Sequence, residues 1–442
     1  MKITIHRGIN QIGGCITEIA TDKAKIIIDL GQNLPDNEGK IDDLFAFKEE
    51  IEKLCRGIDA ILYTHYHGDH FGHFLNVPCN VKQYIGATAK KVMLRKHEQL
   101  SYIPNRKDEM EEAIAKIDKM AVFTEKETIQ VGDIAIKPFL VSHSAYDSYM
   151  FIIEAEGKRV VHTGDFRDHG YLSKNFYSAI DAYILSRGKV DLLITEGTMS
   201  SRLNEEVKSE QAIQKEFANI MSQYKNVFVL CSSTDLERLA SVKAAARKRK
   251  PKSPLVADGF QKDILTIFTD SLASVSGMWD FGDIYDFWTK NDKLLTWMKE
   301  RGFCMLVRPT DKFSVFLDSL LPKLKPEETV LVYSMWKEYV NPDNPTHRKE
   351  SYIKFLNRFV NVKKLHTSGH ASPKCLANVC NQINPTIGII PIHSENSEQF
   401  KYLSLTDSIR KKIITHSQIV NSMKIIIKKA HKNSAPIPGS LY

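Results

Sequence analysis

The chain has 442 residues, of which 43% are hydrophobic and 26% charged, and its formal net charge is +8 at pH 7. This is the composition of a globular protein with room for two domains, and the mildly basic charge is compatible with a polyanionic substrate. No apolar stretch reaches the roughly 18 residues of a membrane span, and seven scattered cysteines without a CxxC pair argue against a disulfide framework. We therefore expect a cytoplasmic protein with reduced thiols, no secretory leader and no membrane contact.

Up to Thr195 the chain is rich in short β-branched or apolar runs that end in polar or glycine turns, a pattern typical of strands. Helical patterns over Thr88–Leu100 and Glu109–Met120 lie between some of these runs. Strands with helices packed outside them predict a layered α/β architecture. The predicted strands are Met1–His6, Lys25–Leu30, Ala60–Thr64, Ile134–Ser142, Met150–Glu154, Arg159–Thr163 and Val190–Thr195.

From Ser200 strands and helices alternate, which predicts a parallel sheet with crossover helices and therefore a second domain. The strand-rich pattern returns at Val362–His366 and continues in Thr386–Ile392. We therefore predict one domain over 1–199 and 362–442, with an inserted domain over 200–361, and we expect Ser434–Tyr442 to fray. In the insertion the predicted helices are Leu203–Tyr224, Asp235–Lys250, Gln261–Leu272, Asp292–Arg301 and Lys349–Phe359, and the predicted strands are Asn226–Cys231, Pro254–Ala257, Cys304–Val307 and Glu328–Tyr333.

Four candidate metal ligands, His65, His67, Asp69 and His70, fall within six residues directly after one predicted strand. Imidazole nitrogens and a carboxylate oxygen suit zinc, and also manganese or iron. Because side chains at one strand end point into one crevice, this short segment can supply most of the ligands of two metal ions. A polar surface loop is the alternative interpretation, and such a dense cluster argues against it.

Three further residues follow predicted strands in the same way. His143 comes after Ile134–Ser142, Asp165 after Arg159–Thr163, and His393 after the last apolar run. Each of them alone would more often be a structural residue. As a set that matches the first segment, they are candidate ligands.

The segment His65–His70 matches the HxHxDH signature of the metallo-β-lactamase superfamily, and Asp29, His143 and Asp165 match that superfamily's first, third and fourth motifs. The resemblance implies an αββα sandwich that binds two divalent metal ions. It implies that Asp29 holds a ligand or orders a loop from outside the coordination sphere. By resemblance the ligands divide into His65, His67 and His143 for one ion, Asp69, His70 and His393 for the other, and Asp165 as the bridge.

Three more motifs resemble the β-CASP nuclease branch of that superfamily. Glu196 is similar to motif A, Ser368–Ala371 to motif B, and Pro391–Glu395 to motif C, in wording closest to ribonuclease J. The 200–361 segment lies between motifs A and B, where that branch has its β-CASP domain, a parallel sheet flanked by helices. Gly197 and Ser394 depart from the usual ribonuclease J residues. The chain after motif C is too short for that family's common C-terminal domain, so a homodimer and a monomer both stay open.

The resemblance implies a ribonuclease that hydrolyses RNA phosphodiester bonds with a hydroxide activated by two metals, as a 5′–3′ exonuclease, an endonuclease or both. Zn²⁺ is the expected ion and Mn²⁺ the alternative, since nitrogen and oxygen ligands suit both. By resemblance, Asp69 would orient or deprotonate the nucleophile, His370 would donate to the leaving 3′ oxygen or stabilise the phosphorane, and Glu196 would orient an active-site histidine. Without the resemblance, His370 would be interpreted as a structural histidine near the start of the helix that Ser372 and Pro373 begin. The alternatives are a β-CASP DNA nuclease, a hydrolase of a small ester or thioester, and a non-catalytic binding module.

The turn Cys231–Asp235 follows a predicted strand and opens a helix, so it can present N–H groups and hydroxyls to a phosphate. By resemblance, this turn and motif B line a pocket for the phosphate of single-stranded, 5′-monophosphorylated RNA. The alternative is that Ser233 or Thr234 only caps the helix, with Glu237 completing a capping box. The candidate phosphate contacts are Ser232, Ser233, Ser368 and Ser372.

Overall fold

The computed structural model describes residues 1–35, 42–125, 127–249, 252–286, 292–345, 347–415 and 424–426. The predicted fraying segment Ser434–Tyr442 lies outside these ranges. The described strands form three sheets, of seven, six and six strands. Together with the helices between them they confirm the predicted α/β class.

The first two sheets pack face to face. Their shared core contains Ile26, Leu62, Phe151 and Ile194, all completely or almost completely buried. The first sheet, in spatial order, consists of β19 (Lys424–Ile426), β1 (Lys2–Arg7), β2 (Ile16–Ala20), β3 (Lys25–Ile28), β4 (Ala60–Leu62), β5 (Lys82–Gly86) and β6 (Ala121–Phe123). The second consists of β18 (Gly388–Ile392), β11 (Leu192–Glu196), β10 (Lys158–His162), β9 (Ser148–Ala155), β8 (Ile134–Val141) and β7 (Ile129–Val131).

Helices cover the outer faces of this sandwich and produce the expected αββα layering. The helix α12 (Pro373–Ile383) illustrates why: Ser372 Oγ accepts a hydrogen bond from Cys375 N at its start, Pro373 occupies the first turn, and Leu376 and Val379 pack into the core of the second sheet. The helices associated with the two sheets are α1 (Lys48–Leu54), α2 (Gly68–Phe71), α3 (Ala87–Ser101), α4 (Lys107–Asp118), α5 (Phe176–Ala179), α12 (Pro373–Ile383) and α13 (Asp407–Arg410).

All pairings in the third sheet are parallel. Its strands are continuous apolar runs such as β12 (Asn226–Leu230), because helices bury both faces. In spatial order they are β14 (Ile284–Asp286), β13 (Leu255–Ala257), β15 (Phe303–Val307), β12, β16 (Thr329–Tyr333) and β17 (Val362–Lys364). The accompanying helices are α6 (Glu210–Gln223), α7 (Leu236–Arg247), α8 (Gly259–Leu272), α9 (Asp292–Arg301), α10 (Asp311–Leu320) and α11 (Glu350–Leu356).

Two predictions about this region are wrong. The helix predicted from Leu203 begins only at Glu210, because Ser209 accepts a hydrogen bond from Ala212 N and caps it there. The predicted cap of α7 at Ser233 or Thr234 is replaced by Asp235, whose carboxylate accepts a hydrogen bond from Arg238 N. The sequence analysis also missed α10 and α1. The domain boundaries at 199/200 and 361/362 stay a proposal.

Candidate metal centre

The predicted metal ligands lie at the carboxyl ends of strands from both sheets of the sandwich. The strand β4 leads into His65–His70, while β8, β10 and β18 lead into His143, Asp165 and His393. His393 adopts a positive φ of 51°, a conformation that non-glycine residues rarely take. At Gly31 a side chain would place its Cβ only 1.7 Å from the backbone oxygen of Asp69, so glycine is required where the two loops meet.

Three imidazoles form one donor group. The ligand atoms of His65, His67 and His143 all lie within 4.8 Å of one another. His65 Nε2 is 3.1 Å and His143 Nε2 is 3.2 Å from His67 Nδ1. His143 Nδ1 donates to Gly369 O at 2.7 Å, which leaves its Nε2 atom facing the other two rings.

The Asp165 carboxylate lies between this group and a second one, which consists of Asp69, His70 and His393. Asp69 Oδ2 lies 3.1 Å from His393 Nε2, so the second group is also compact. Asp165 therefore faces both groups, as a bridging ligand would. Four histidine Nε2 atoms surround Asp165 Oδ2: His70 at 3.3 Å, His143 at 3.8 Å, His393 at 3.8 Å and His65 at 3.9 Å.

Asp29 orients His70, one residue of the second group, from the side away from the other donors. Its carboxylate accepts hydrogen bonds from Thr64 N at 2.7 Å and from Thr64 Oγ1, and it lies 2.7 Å from His70 Nδ1. A bond from Nδ1 to a carboxylate fixes the ring and leaves Nε2 for a metal. Asp29 itself has a positive φ of 61°, which is a second strained backbone position at this centre.

The electrostatics of the cluster favour cation binding. Burial is the main cause that lowers the pKa of His65 and His143 well below the ordinary range and that of His67 to about 4, so these rings are neutral. Burial would raise the pKa of Asp69 and Asp165, but the neighbouring histidines outweigh it and lower both values. Neutral imidazoles beside ionised carboxylates are the donors that divalent transition metals bind.

Two buried atoms point to the same conclusion. Among the described residues, Asp165 Oδ1 makes no hydrogen bond, and His70 Nε2 has only the contact with Asp165 Oδ2 at 3.3 Å. Burial would lower the pKa of His70, but the charges of Asp165 and Asp29 raise it well above the ordinary range, so this ring would release a proton on binding a metal ion. Buried polar atoms are rarely left unpaired. The chemistry of the donor set therefore fits the two divalent ions that the sequence predicts.

His370 and Glu196 adjoin the metal cluster as a pair. Glu196 Oε2 lies 3.1 Å from His370 Nδ1, and Glu196 Oε1 accepts hydrogen bonds from Phe166 N and Ala371 N. Burial would lower the pKa of His370, but Glu196 and Asp165 raise it to about 9. The His370 side chain keeps 24% of its surface exposed, so it is both protonated and accessible.

The sequence analysis missed two residues of the centre. Thr198 Oγ1 lies 2.7 Å from His393 Nδ1 and 3.3 Å from His370 Nδ1, and its position two residues after Glu196 was the available signal. Cys15 lies beside His70 and His393 without any sequence signal, because it is far from every motif along the chain.

The four predicted phosphate contacts lie in two loops. Ser232 and Ser233 follow β12, and Ser233 Oγ accepts a hydrogen bond from Gln261 Nε2 at 3.3 Å. Ser368 Oγ accepts from His370 N at 3.0 Å, and Ser372 caps α12. The loops are connected through the Arg167 guanidinium, which donates to Ser368 O and to Glu237 Oε2 in α7. The predicted capping box is therefore wrong, since Glu237 binds Arg167 instead.

A family model described as the β-lactamase superfamily domain matches residues 42–215. This range includes the HxHxDH segment, His143, Asp165 and Glu196. Over this range the chain resembles the β-lactamase superfamily. Its αββα layering and the donor cluster at the strand ends are consistent with that assignment.

Relatives of the superfamily domain include ribonuclease J from Helicobacter pylori, which is 25% identical over 272 residues, or 60% of this chain and 37% of that protein. An RNase J-like protein from Methanocaldococcus jannaschii is 24% identical over 209 residues, or 46% of this chain and 44% of that protein. The chain thus matches less than half the length of these curated relatives.

A crystal structure of a protein of unknown function from Enterococcus faecalis shares the fold, with a TM-score of 0.68 and 19% identity over 94% of this chain and 98% of that one. In the described part of the chain, no helix combines the length and apolar character that a membrane span requires.

Proposed function

We propose that the protein is a metal-dependent ribonuclease that hydrolyses phosphodiester bonds of single-stranded RNA in the cytoplasm. The observation on which this proposal mainly depends is the Glu196–His370 pair beside six clustered donor residues, with Asp69 in contact with one of them, His393. The similarity to ribonuclease J supports RNA as the substrate. A homodimer stays a prediction, with a monomer as the alternative.

We propose that His65, His67 and His143 hold one ion, that Asp69, His70 and His393 hold the other, and that Asp165 contacts both. When bound, two divalent ions lower the pKa of water and neutralise phosphate charge. Zn²⁺ is the expected occupant, with Mn²⁺ as the alternative. Asp29 fixes the His70 ring, and Thr198 positions His393 in the same way through Nδ1.

His370 acts as the proton donor. Its pKa of about 9 keeps the imidazolium populated at neutral pH, and the proton passes to the 3′ oxygen that leaves phosphorus. Glu196 acts as a positioning residue, because its carboxylate binds Nδ1 and stabilises the imidazolium. Asp69 orients the attacking water, and the Asp69 carboxylate is itself positioned by His393 Nε2.

An aromatic patch in the inserted segment supports a single-stranded nucleic acid as the substrate. It consists of Trp336, Tyr339, His347 and Tyr352. The centroid of the Trp336 ring is 5.4 Å from that of Tyr339 and 4.8 Å from that of His347, and the Tyr339 and Tyr352 centroids are 5.7 Å apart. Two cations cover it: the Arg202 guanidinium is 5.9 Å from the Trp336 ring and Lys349 Nζ is 4.2 Å from the Tyr339 ring. Half-buried aromatic rings can stack with unpaired bases while neighbouring cations bind phosphates.

The patch adjoins the metal centre. Burial raises the pKa of Tyr339, and the charge of Asp69, a proposed ligand, raises it further. Arg202 N donates to Met199 O, in the turn that begins at Glu196. RNA that stacks on the patch would therefore extend toward the metal cluster.

Ser232, Ser233, Ser368 and Ser372 belong to the same proposal as contacts of a 5′ phosphate. Their loops open α7 and α12, and backbone N–H groups at helix starts favour anions. Binding of a terminal phosphate there would direct the enzyme toward 5′–3′ exonuclease action, and its absence toward endonuclease action.

Hydrolysis assays with the metal-loaded protein test the proposal. The substrates are one single-stranded RNA with 5′-monophosphate, 5′-hydroxyl or 5′-triphosphate ends, the matching DNA, and a small thioester. We expect RNA cleavage to be fastest with the 5′-monophosphate and to fall about 10²–10⁴-fold in His370→Ala. His97→Gln, which alters another buried histidine in α3, is the matched control. Faster hydrolysis of the thioester or of DNA would contradict the proposal, and equal rates on all three ends would contradict the phosphate pocket.

A further inference from the structure

Cys15 is anchored to the backbone of the predicted metal-binding segment. It directly precedes β2, its N–H donates to Asp69 O at 3.1 Å, and Gly31 N donates to Cys15 O at 3.1 Å. Only 1% of the residue is exposed. The position of its side chain is therefore tied to the loop that also presents Asp69 and His70.

The thiol of Cys15 lies among metal donors. Its Sγ atom and the ligand atoms of His70 and His393 all lie within 4.8 Å of one another. Zinc holds sulfur at about 2.3 Å and nitrogen at about 2.0 Å, so three donors at such separations are within reach of a single ion.

A second observation points to a ligand at this place. His70 is 1% exposed, and its Nε2 atom has no hydrogen-bond partner among the residues that the structure describes. Its other nitrogen is already bound by Asp29. Apart from the Asp165 carboxylate oxygen 3.3 Å away, this buried nitrogen has no polar partner among the described residues, and a metal ion shared with sulfur would provide one.

Gly8 shapes the space around this thiol. A Cβ at Gly8 would come within 3.1 Å of Cys15 Sγ, and Gly8 already has a φ of +109°, which disfavours a side chain. The backbone oxygen of Gly8 accepts a hydrogen bond from His393 N at 2.6 Å. The same residue therefore leaves room for the sulfur atom and holds the backbone of a neighbouring donor.

We propose that Cys15 is a sulfur ligand of the ion held by Asp69, His70 and His393. On binding, the S–H bond breaks, its proton is released to solvent, and the sulfur keeps the electron pair that it donates to the ion. This inference rests on the proposed metal centre and adds a soft donor to the nitrogen and oxygen set. Thiolate favours zinc over manganese, so Cys15 selects the metal.

Cobalt substitution tests this assignment without any activity measurement. The full chain is stripped with a chelator and titrated with Co²⁺, which shows visible bands on binding and a near-ultraviolet charge-transfer band when thiolate is a ligand. We expect the charge-transfer band in the native protein, its loss in Cys15→Ser and Cys15→Ala, and its retention in Cys304→Ala. Cys304 is an equally buried thiol in β15 and serves as the matched control.

Metal competition provides the second measurement. We expect the ratio of Zn²⁺ to Mn²⁺ affinity to fall about tenfold or more in Cys15→Ala, because the variant loses the thiolate that favours zinc over manganese. Visible cobalt bands without a charge-transfer band in the native protein, or a band that persists in both Cys15 variants, would overturn the Cys15 assignment and leave the proposed centre intact. Absence of any bound cobalt would overturn both.

Discussion

Glu196 Oε2 lies 3.1 Å from His370 Nδ1, so a carboxylate at the end of β11 contacts a histidine from the loop before α12, 174 positions later in the chain. Both side chains border Asp165, whose Oδ2 atom is 3.5 Å from the same His370 nitrogen. The protonation of His370 therefore depends on two carboxylates from different strands.

Removing the charge of Glu196 should change the pH profile of RNA hydrolysis. The pKa of His370 is raised to about 9, so the proton donor is present below that pH and is lost above it. In Glu196→Gln the largest of the charges that raise this pKa is gone while Asp165 and Asp69 remain, so the alkaline limb should move to lower pH. The measurement is kcat against pH at saturating metal. An unchanged alkaline limb would show that His370 does not supply the proton.

Asp29→Asn should weaken metal binding about 10–100-fold, because the His70 ring loses the carboxylate that orients it. Metal titration of the chelator-stripped protein measures this effect. Asp147→Asn is the control: Asp147 is also a buried carboxylate, but it accepts hydrogen bonds from Thr88 N and Ala89 N at the start of α3. Equal metal affinity in Asp29→Asn and the native protein would refute the role of Asp29.

Arg167 should matter for stability more than any surface cation. It is completely buried and contacts Glu237 at 2.6 Å and Glu210 at 3.4 Å. Arg167→Ala removes the cation that pairs with the buried Glu237, which keeps only hydrogen bonds from Ser142 and Leu172 N, while Glu210 keeps its ion pair with Arg238. We therefore expect a loss of about 3–5 kcal/mol in the free energy of unfolding. Urea denaturation measures it.

The exposed pair of Arg106 and Glu109, 3.1 Å apart, provides the control for that experiment. Arg106→Ala should cost about 0.5 kcal/mol or less, because solvent screens the pair. Similar losses in both variants would mean that the buried ion pairs of Arg167 stabilise the fold no more than an exposed ion pair does.

Trp336→Ala should separate RNA binding from bond cleavage. We expect the KM for single-stranded RNA to rise about tenfold, since base stacking on an aromatic ring is worth about 1–3 kcal/mol. Hydrolysis of a small phosphodiester that does not reach the patch should not change. Tyr402→Ala, at an exposed aromatic ring outside the patch, is the control. An equal loss of activity on RNA and on the small phosphodiester would mean that Trp336 supports the structure of the metal centre and does not bind RNA.

Much of the fold was predictable from local patterns. The strand β12 and the helix α9 follow directly from an apolar run and a helical pattern. The start of α6 was misplaced because apolar periodicity continues through Leu203 while the actual cap is Ser209. The helix α10 was missed because its apolar face becomes decisive only when Phe313 and Leu317 pack on the third sheet.

The sequence alone determined which residue types leave the strand ends: a dense run of histidine and aspartate after β4, and one donor each after β8, β10 and β18. Such features are local, because strand periodicity and the residues that follow it are written in a few neighbouring positions. Only the tertiary structure decided that Cys15 and Thr198 border the same cluster and that two carboxylates raise the pKa of His370. Those relationships depend on how two sheets and an inserted segment pack, and burial then converts their proximity into charge coupling.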